Sequence, residues 1–364
     1  MSNPLIKFIP VQWCSHPHIR TLLVVSGAVV AAILVAIAMI ISFGVPVSEA
    51  LTAFADGAWG SPYAIGASIN RSLVFALVGI GFVLANRAKL TNVGGEGQIA
   101  IGGITATAVS LYGGCENLPY GLAYIVPMLC AALAGGVWGA IPGWLKARLG
   151  TNEVISTLLL SFIAVWLLYW CVQSVDLLRQ PMTSGGTLPE SLTIPETTQL
   201  PLLWPDSGLG IHLGLAITLI LGIVVAAVIS RTRFGFSLRA VGYNPQAAKR
   251  AGIAITWTMV AALAIAGALG GMGGAIRLQG EQYSLKAGFS SGYGFDGLVV
   301  GLLARNSITG VFVAALLFGF MRSGGINMEM VAQVPAALVL VVQAIVILIL
   351  AGSTLWLSRK GEKV

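Results

Sequence analysis

Long apolar runs recur along the chain at Thr21–Phe43, Tyr63–Ala85, Gly121–Leu145, Val154–Val172, Leu209–Ile229, Trp257–Ile276 and Val331–Leu350. They are continuous rather than alternating, which predicts helices and argues against a transmembrane barrel. At about 1.5 Å of rise per residue, about 20 residues cross a bilayer, and these runs suffice. Three further runs, Ile99–Leu111, Leu298–Ala304 and Ile308–Phe320, fall short unless their glycine-rich flanks join them. The pattern predicts an all-α polytopic membrane protein with about ten membrane segments. The first run is too long for a signal-peptide core and has no convincing cleavage site after it, so it is read as a helix.

Composition fixes the class independently. Hydrophobic residues make up 57% of the chain and charged residues 9%, against roughly 25% charged in an average soluble domain. That much apolar surface requires the bilayer as part of the solvent. The net charge of +7 is accounted for by the positive-inside bias. With the N-terminus in the cytoplasm, the inner side receives Lys7, Arg20, Arg87, Lys89, Lys146, Arg148, Arg231, Arg233, Arg239, Lys249, Arg250 and the tail cations Arg359, Lys360 and Lys363. The outer loops then receive only Arg179, Arg277, Lys286 and Arg322. No nucleic-acid partner is implied. The expected organisation is a cytoplasmic segment 1–20, one transmembrane domain 21–356 and a cytoplasmic tail 357–364. Within the domain lie an outer loop at 173–208 and a cytoplasmic loop at 230–256. Segment 298–320 either crosses fully or enters and leaves on one side.

A short motif occurs twice. Gly94-Gly95-Glu96-Gly97 opens one undersized apolar run, and Gly294-Phe295-Asp296-Gly297 opens another, two hundred positions later. In the topology above the two lead their helices in opposite directions across the membrane. Opposed, glycine-interrupted short helices mark an inverted internal repeat, with the transport path between the copies. The alternative is chance similarity between glycine-rich turns, since glycine also serves close helix packing in membranes.

Several polar residues lie near these motifs. Asn92 and Gln98 flank the first and can present amides to a solute. Thr157 and Ser161 share a helix face with Glu153 at i, i+4 spacing. Their hydroxyls can meet a sugar, or bond back to their own helix or a neighbour. Glu96 and Asp296 stand at helix starts, where a carboxylate caps free N–H groups and meets the positive dipole end; direct ligand contact is the other reading. Tyr293 and Phe295 can stack on a flat base or anchor the membrane boundary. The candidate path residues are thus Asn92, Glu96, Gln98, Thr157, Ser161, Tyr293 and Asp296.

The cytoplasmic loop holds a readable short helix. Asn244 suits the N-cap, Pro245 the first helical position, and Gly252 the stop. It either docks into a cytosolic partner or is a solvated connector.

Catalytic patterns are absent from the sequence. His16, His18 and His212 form no metal-ligand pattern with Cys14, Cys115, Cys130 and Cys171, and the cysteines are scattered across compartments. No G-x-x-x-x-G-K-[ST] phosphate loop is present, so the chain is not expected to hydrolyse ATP alone.

Five blocks in order carry a family resemblance. They are Leu90 to Gln98, Gly139-Ala140-Ile141-Pro142-Gly143-Trp144-Leu145-Lys146-Ala147, Asn152 to Leu158, Leu238-Arg239-Ala240-Val241-Gly242-Tyr243-Asn244-Pro245, and Gly292 to Gly297. The chain from about Ser72 to Ala351 resembles permeases of ABC importers in the branched-chain amino acid, ribose and nucleoside superfamily. It is most similar to the larger permease of nucleoside (guanosine-type) systems. The resemblance implies alternating access driven by a cytosolic ABC ATPase that holds ATP and magnesium, with no cofactor in this chain. It also implies a second, related permease and an extracytoplasmic substrate-binding protein. Arg239, Gly242, Asn244, Pro245, Ala247, Ala248 and Gly252 would then form the coupling segment. The location implied is a bacterial cytoplasmic (inner) membrane, multi-pass, with both termini cytoplasmic. The expected solute is small, neutral and polar, a nucleoside first and ribose or another simple sugar second. From a different class, an ion-coupled secondary transporter stays open, with Glu96 and Asp296 as its acids.

Overall fold

The apolar runs fold as helices whose ends carry ordinary stop and start signals. The computed structural model describes residues 17–119, 121–181 and 189–345. Its helices are α1 (Pro17–Ser42), α2 (Val47–Trp59), α3 (Pro62–Asn86), α4 (Gly95–Tyr112), α5 (Leu122–Leu149) and α6 (Glu153–Gln173). They continue as α7 (Gly214–Arg231), α8 (Arg233–Tyr243), α9 (Pro245–Arg250), α10 (Ile255–Arg277), α11 (Tyr293–Leu303) and α12 (Ile308–Ala332). Strand structure among the described residues is confined to isolated bridges. Ser61 caps α3 by accepting the Ala64 N–H at 3.1 Å with proline next in line. Asn152 caps α6 by accepting the Val154 N–H at 2.9 Å, and Gly150 ends α5 at φ +70°. Each is the residue type such a position favours.

Among the described residues, six helices are long and apolar enough to cross a membrane: α3, α5, α6, α7, α12 and α10 with its extension to Gln282. A seventh arises if Ile33–Ser42 and Val47–Trp59, bent by 118°, count as one span. The run Ile308–Phe320 is not short after all, because α12 continues through Gly324 and Gly325 to Ala332. A side chain at Gly324 would meet the Phe54 ring at 2.7 Å, so glycine there serves packing and does not end the helix. The last apolar run begins a helix at 337–345, and its remainder lies outside the described residues. So do the tail 357–364 and most of segment 1–20.

The chain divides into two units. In the smaller, Ile40, Ala50, Ala53, Met328, Val334 and Leu338 form a core, and Asn327 donates to the Ala53 carbonyl at 2.7 Å. In the larger, Ser61–Phe320, α3 is the central helix. It is 83% buried over its apolar window, against 28% for α6 and α7.

Around α3 the helices approach closely through glycine. Gly135 and Gly139 on α5 face Gly267 and Gly271 on α10; a Cβ at Gly139 would lie 3.0 Å from the Gly267 Cα. Small residues spaced by four let backbones touch in this way. α10 lies antiparallel to α3, with Gly81 against Ala266 and Gly273 beside Val74 and Leu77.

The two glycine motifs meet part-way along α3. Gly95 and Gly297 both pack on Val78. From there α4 follows α10 toward its C-terminal end, placing Gln98 by Gly270 and Gly103 by Gly274. α11 runs the opposite way along α3, placing Gly301 by Phe82. The turn after α11 ends at Asn306, where Oδ1 accepts from Asn86 at 2.7 Å and the carbonyl accepts from Arg87 at 2.6 Å. The described part of loop 173–208 is tied down. Ser191 and Ile194 donate to the carbonyls of Leu285 and Tyr283 at 2.9 and 2.8 Å, and Leu200 donates to that of Gln279 at 2.9 Å.

Candidate functional site: the joint between two helix starts

The first motif is held in place by side chains already singled out in the sequence. Asn92 and Gln98 exchange amide hydrogen bonds at 3.1 and 3.2 Å, and Asn92 Oδ1 also accepts the Gly94 N–H at 2.9 Å. Thr157 Oγ1 accepts the Val93 N–H at 3.1 Å and donates to the Glu153 carbonyl at 2.7 Å. Ser161 Oγ accepts the Gly97 N–H at 3.3 Å and lies 3.2 Å from the Thr157 carbonyl. All four side chains are buried. The hydroxyls thus bond back to α6 and hold the neighbouring loop.

Glu96 joins the two motifs. Its carboxylate is buried and accepts the Gly292 and Gly294 N–H groups at 2.8 Å each. These are free donors at the start of α11, the groups a helix leaves unpaired. Glu96 therefore caps the other motif's helix while standing in the first turn of its own. The positive ends of two helix dipoles converge on one carboxylate, the arrangement that favours its charge. Gly294 permits the approach, because a Cβ there would overlap the Glu96 backbone nitrogen.

Tyr293 is 2% exposed. Its ring stacks on Phe75 at 4.8 Å, and the Arg277 guanidinium lies 3.7 Å from its centroid. Asp296 is half-buried in the first turn of α11, and Phe295 is 36% exposed. The candidate path residues thus come together at the α4 start, on α6 and in the first turn of α11. Two residues of this region escape a sequence reading. Phe75 looks like any apolar helix residue. Arg277 was expected in an outer loop, yet it is the last residue of α10 and only 6% exposed.

The expected cytoplasmic helix forms as α9. Asn244 Oδ1 accepts the Ala247 N–H at 3.0 Å with Pro245 at the first position. Gly252 closes it at φ +80°, donating to the Lys249 carbonyl at 3.1 Å. Before it, α8 is a helix the sequence reading did not foresee, capped by Thr232 accepting from Gly235 at 3.1 Å. Arg239 on α8 donates to the Ile229 carbonyl. Gly242 lets α8 touch the Arg87–Ala88 backbone. Arg87, Lys89, Arg239, Gly242, Tyr243 and Asn306 line a cavity of about 100 Å³ there. A groove of about 440 Å³ lies beside α9, lined by Phe234, Gly252, Ile253 and Trp257 among others. Ala248 is buried, whereas Tyr243 is 86% exposed.

A multi-pass helical bundle with opposed short helices joined at a buried carboxylate, and a short capped helix at one end, defines a transport permease. The chain belongs to the permease component family of the branched-chain amino acid transport system, whose pattern matches residues 64–351. It is an ABC transporter permease subunit rather than an ATPase. It is 32% identical to the guanosine ABC transporter permease protein NupP of Bacillus subtilis over 345 residues, covering 94% of this chain and 95% of that protein. It is 33% identical to the glucose ABC transporter permease protein TsgB13 of Haloferax volcanii, covering 86% and 80%. It is 30% identical to the nucleoside ABC transporter permease protein NupB of Lactococcus lactis, covering 78% and 79%. No solved structure matches the chain.

Proposed function

We propose that this permease carries nucleosides into a bacterial cell across the cytoplasmic membrane, powered by a cytosolic ABC ATPase. The observation that carries this reading is its similarity to the guanosine permease NupP along nearly the whole of both chains. Its partners would be that ATPase with its ATP and magnesium, a second related permease, and an extracytoplasmic binding protein. Both termini would be cytoplasmic. Ten membrane segments are proposed: α1, α3 to α7, α10 to α12, and the run that begins at 337. α4 and α11 serve as the opposed members of an inverted repeat. Segment 21–356 acts as one permease domain.

In this mechanism the ATPase pulls on α9 and the segment Arg239, Gly242, Asn244, Pro245, Ala247, Ala248 and Gly252. The backbone contact of α8 with Arg87 carries that movement to α3 and to the turn at Asn306. The joint of Asn92, Glu96, Gln98, Thr157, Ser161, Tyr293 and Asp296 then separates on one side to form the solute path. A solute is driven only if it interacts differently with the two states of that joint. Glucose or another simple sugar is the second reading, favoured by the similarity to TsgB13.

Gentle-detergent purification of the tagged chain from its host tests the assembly. Co-purifying ATPase and second permease, lost when 244–252 is scrambled in a still-inserted variant, agree with it. A homo-oligomer without ATPase, from a preparation that preserves a known ABC complex, contradicts it and returns Glu96 and Asp296 to ion coupling.

A further inference from the structure

Beside the joint lies a second set of polar atoms that the fold leaves unpaired. Nε and Nη1 of Arg277 are buried without a hydrogen-bond partner, as are Oδ1 of Asn70 and Oε1 of Gln282. Arg277 is 6% exposed and so is Asn70. Arg277 and Asn70 belong to one neighbourhood. In the antiparallel register that sets Gly273 beside Val74, Arg277 and Asn70 each lie one turn further on. Phe75, one turn from Arg71, stacks on the Tyr293 ring that carries the guanidinium. Glu281 lies within electrostatic reach of both Arg71 and Arg277.

Burying a guanidinium is costly unless its donors are met. The faces of Tyr293, at 3.7 Å, and Phe289, at 5.6 Å, recover part of that through cation–π attraction. They leave the Nε and Nη1 donors unanswered, because a ring face is no acceptor for all of them. Unanswered donors beside an unanswered acceptor, walled by aromatic rings, match a flat neutral solute with a carbonyl and hydroxyls.

We infer that Arg277 is the specificity-determining residue of the solute path and selects nucleosides whose base presents a carbonyl oxygen. This rests on the nucleoside reading above and narrows it. Guanidinium donors read the carbonyl and ring nitrogen of an oxopurine, and an amino group in the same place offers them nothing. Asn70 supplies an acceptor for a ribose hydroxyl. In the described state the guanidinium rests on Tyr293, the first residue of α11. A movement of α11 against α10 transfers it from the ring to the solute.

The test is uptake by the whole transporter in liposomes, with binding protein saturating and loaded with inosine, guanosine or adenosine. Arg277→Lys is expected to raise the KM for inosine and guanosine about tenfold or more while changing that for adenosine little. Wild-type uptake of nucleosides with unchanged KM and preference in the variant overturns this inference alone. Absence of any nucleoside uptake by the wild type overturns the nucleoside reading as well. Should the variant fail to assemble, photolabelling of the wild-type complex with 8-azidoguanosine decides. Label within 274–293 is expected, and label confined to other helices contradicts the assignment.

Discussion

Glu96 Oε2 accepts the Gly294 N–H at 2.8 Å, and Gly294 has no room for a side chain because it packs on the Glu96 backbone itself. The two residues belong to two motifs that begin helices of opposite direction: Glu96 is the third residue of one and Gly294 the first of the other. Replacing Glu96 by Gln keeps the shape and removes the charge that two helix starts share. Charge-assisted hydrogen bonds contribute about 1.5–3 kcal/mol each, so Glu96→Gln lowers the melting temperature in detergent by several degrees. Gly294→Ala abolishes the folded, monodisperse species. A Glu96→Gln protein as stable as the parent removes this carboxylate from the account of the joint.

Helix α5 and helix α10 pack through Gly135, Gly139, Gly267 and Gly271. Overpacking a close contact costs about 1–3 kcal/mol. Gly267→Ala is expected to lose stability by that order, whereas Gly150→Ala, facing open space but at φ +70°, suffers only backbone strain. Thermal aggregation of the two variants, side by side, separates the causes.

At α9, Asn244→Ala removes a cap worth about 1 kcal/mol. Because α9 is short and mostly exposed, global stability changes little. Under the proposed coupling role, solute-stimulated ATP hydrolysis in the assembled transporter falls severalfold with expression unchanged. Equal stimulation in parent and variant assigns α9 to a passive connector.

His212 is buried outside the membrane-spanning helices and held neutral, its pKa pushed down to about 4 by burial. Its Nδ1 accepts the Gly214 N–H at 3.1 Å. An unfolded histidine titrates near 6.5, so below that pH the unfolded chain binds the proton that the folded one refuses. Stability is therefore full above about pH 6.5, declines as pH falls toward about 4, and levels off below. The loss is about 3 kcal/mol. Melting temperatures from pH 7.5 to 4.5 check the slope, and His212→Asn flattens it.

The membrane helices were legible because continuous apolar runs leave little choice of structure. α9 was legible because asparagine, proline and glycine each fit one capping position. α12 was underestimated, since glycines at 324 and 325 look like a boundary and instead serve packing. The partner of Glu96 was hidden by separation: a residue 196 positions away leaves no local trace. The shared face of Thr157 and Ser161 followed from helical spacing, but the loop they hold arrives from another part of the chain. Arg277 was misplaced because a charge at the end of an apolar run usually reaches water, and this one is covered.

The most direct test is ATP-dependent nucleoside uptake by liposomes holding this permease with its ATPase, second permease and binding protein. Uptake is expected to require ATP inside, binding protein outside and an intact α9, and to ignore proton and sodium gradients. Uptake by this chain alone, driven by an ion gradient and insensitive to the ATPase, would contradict it.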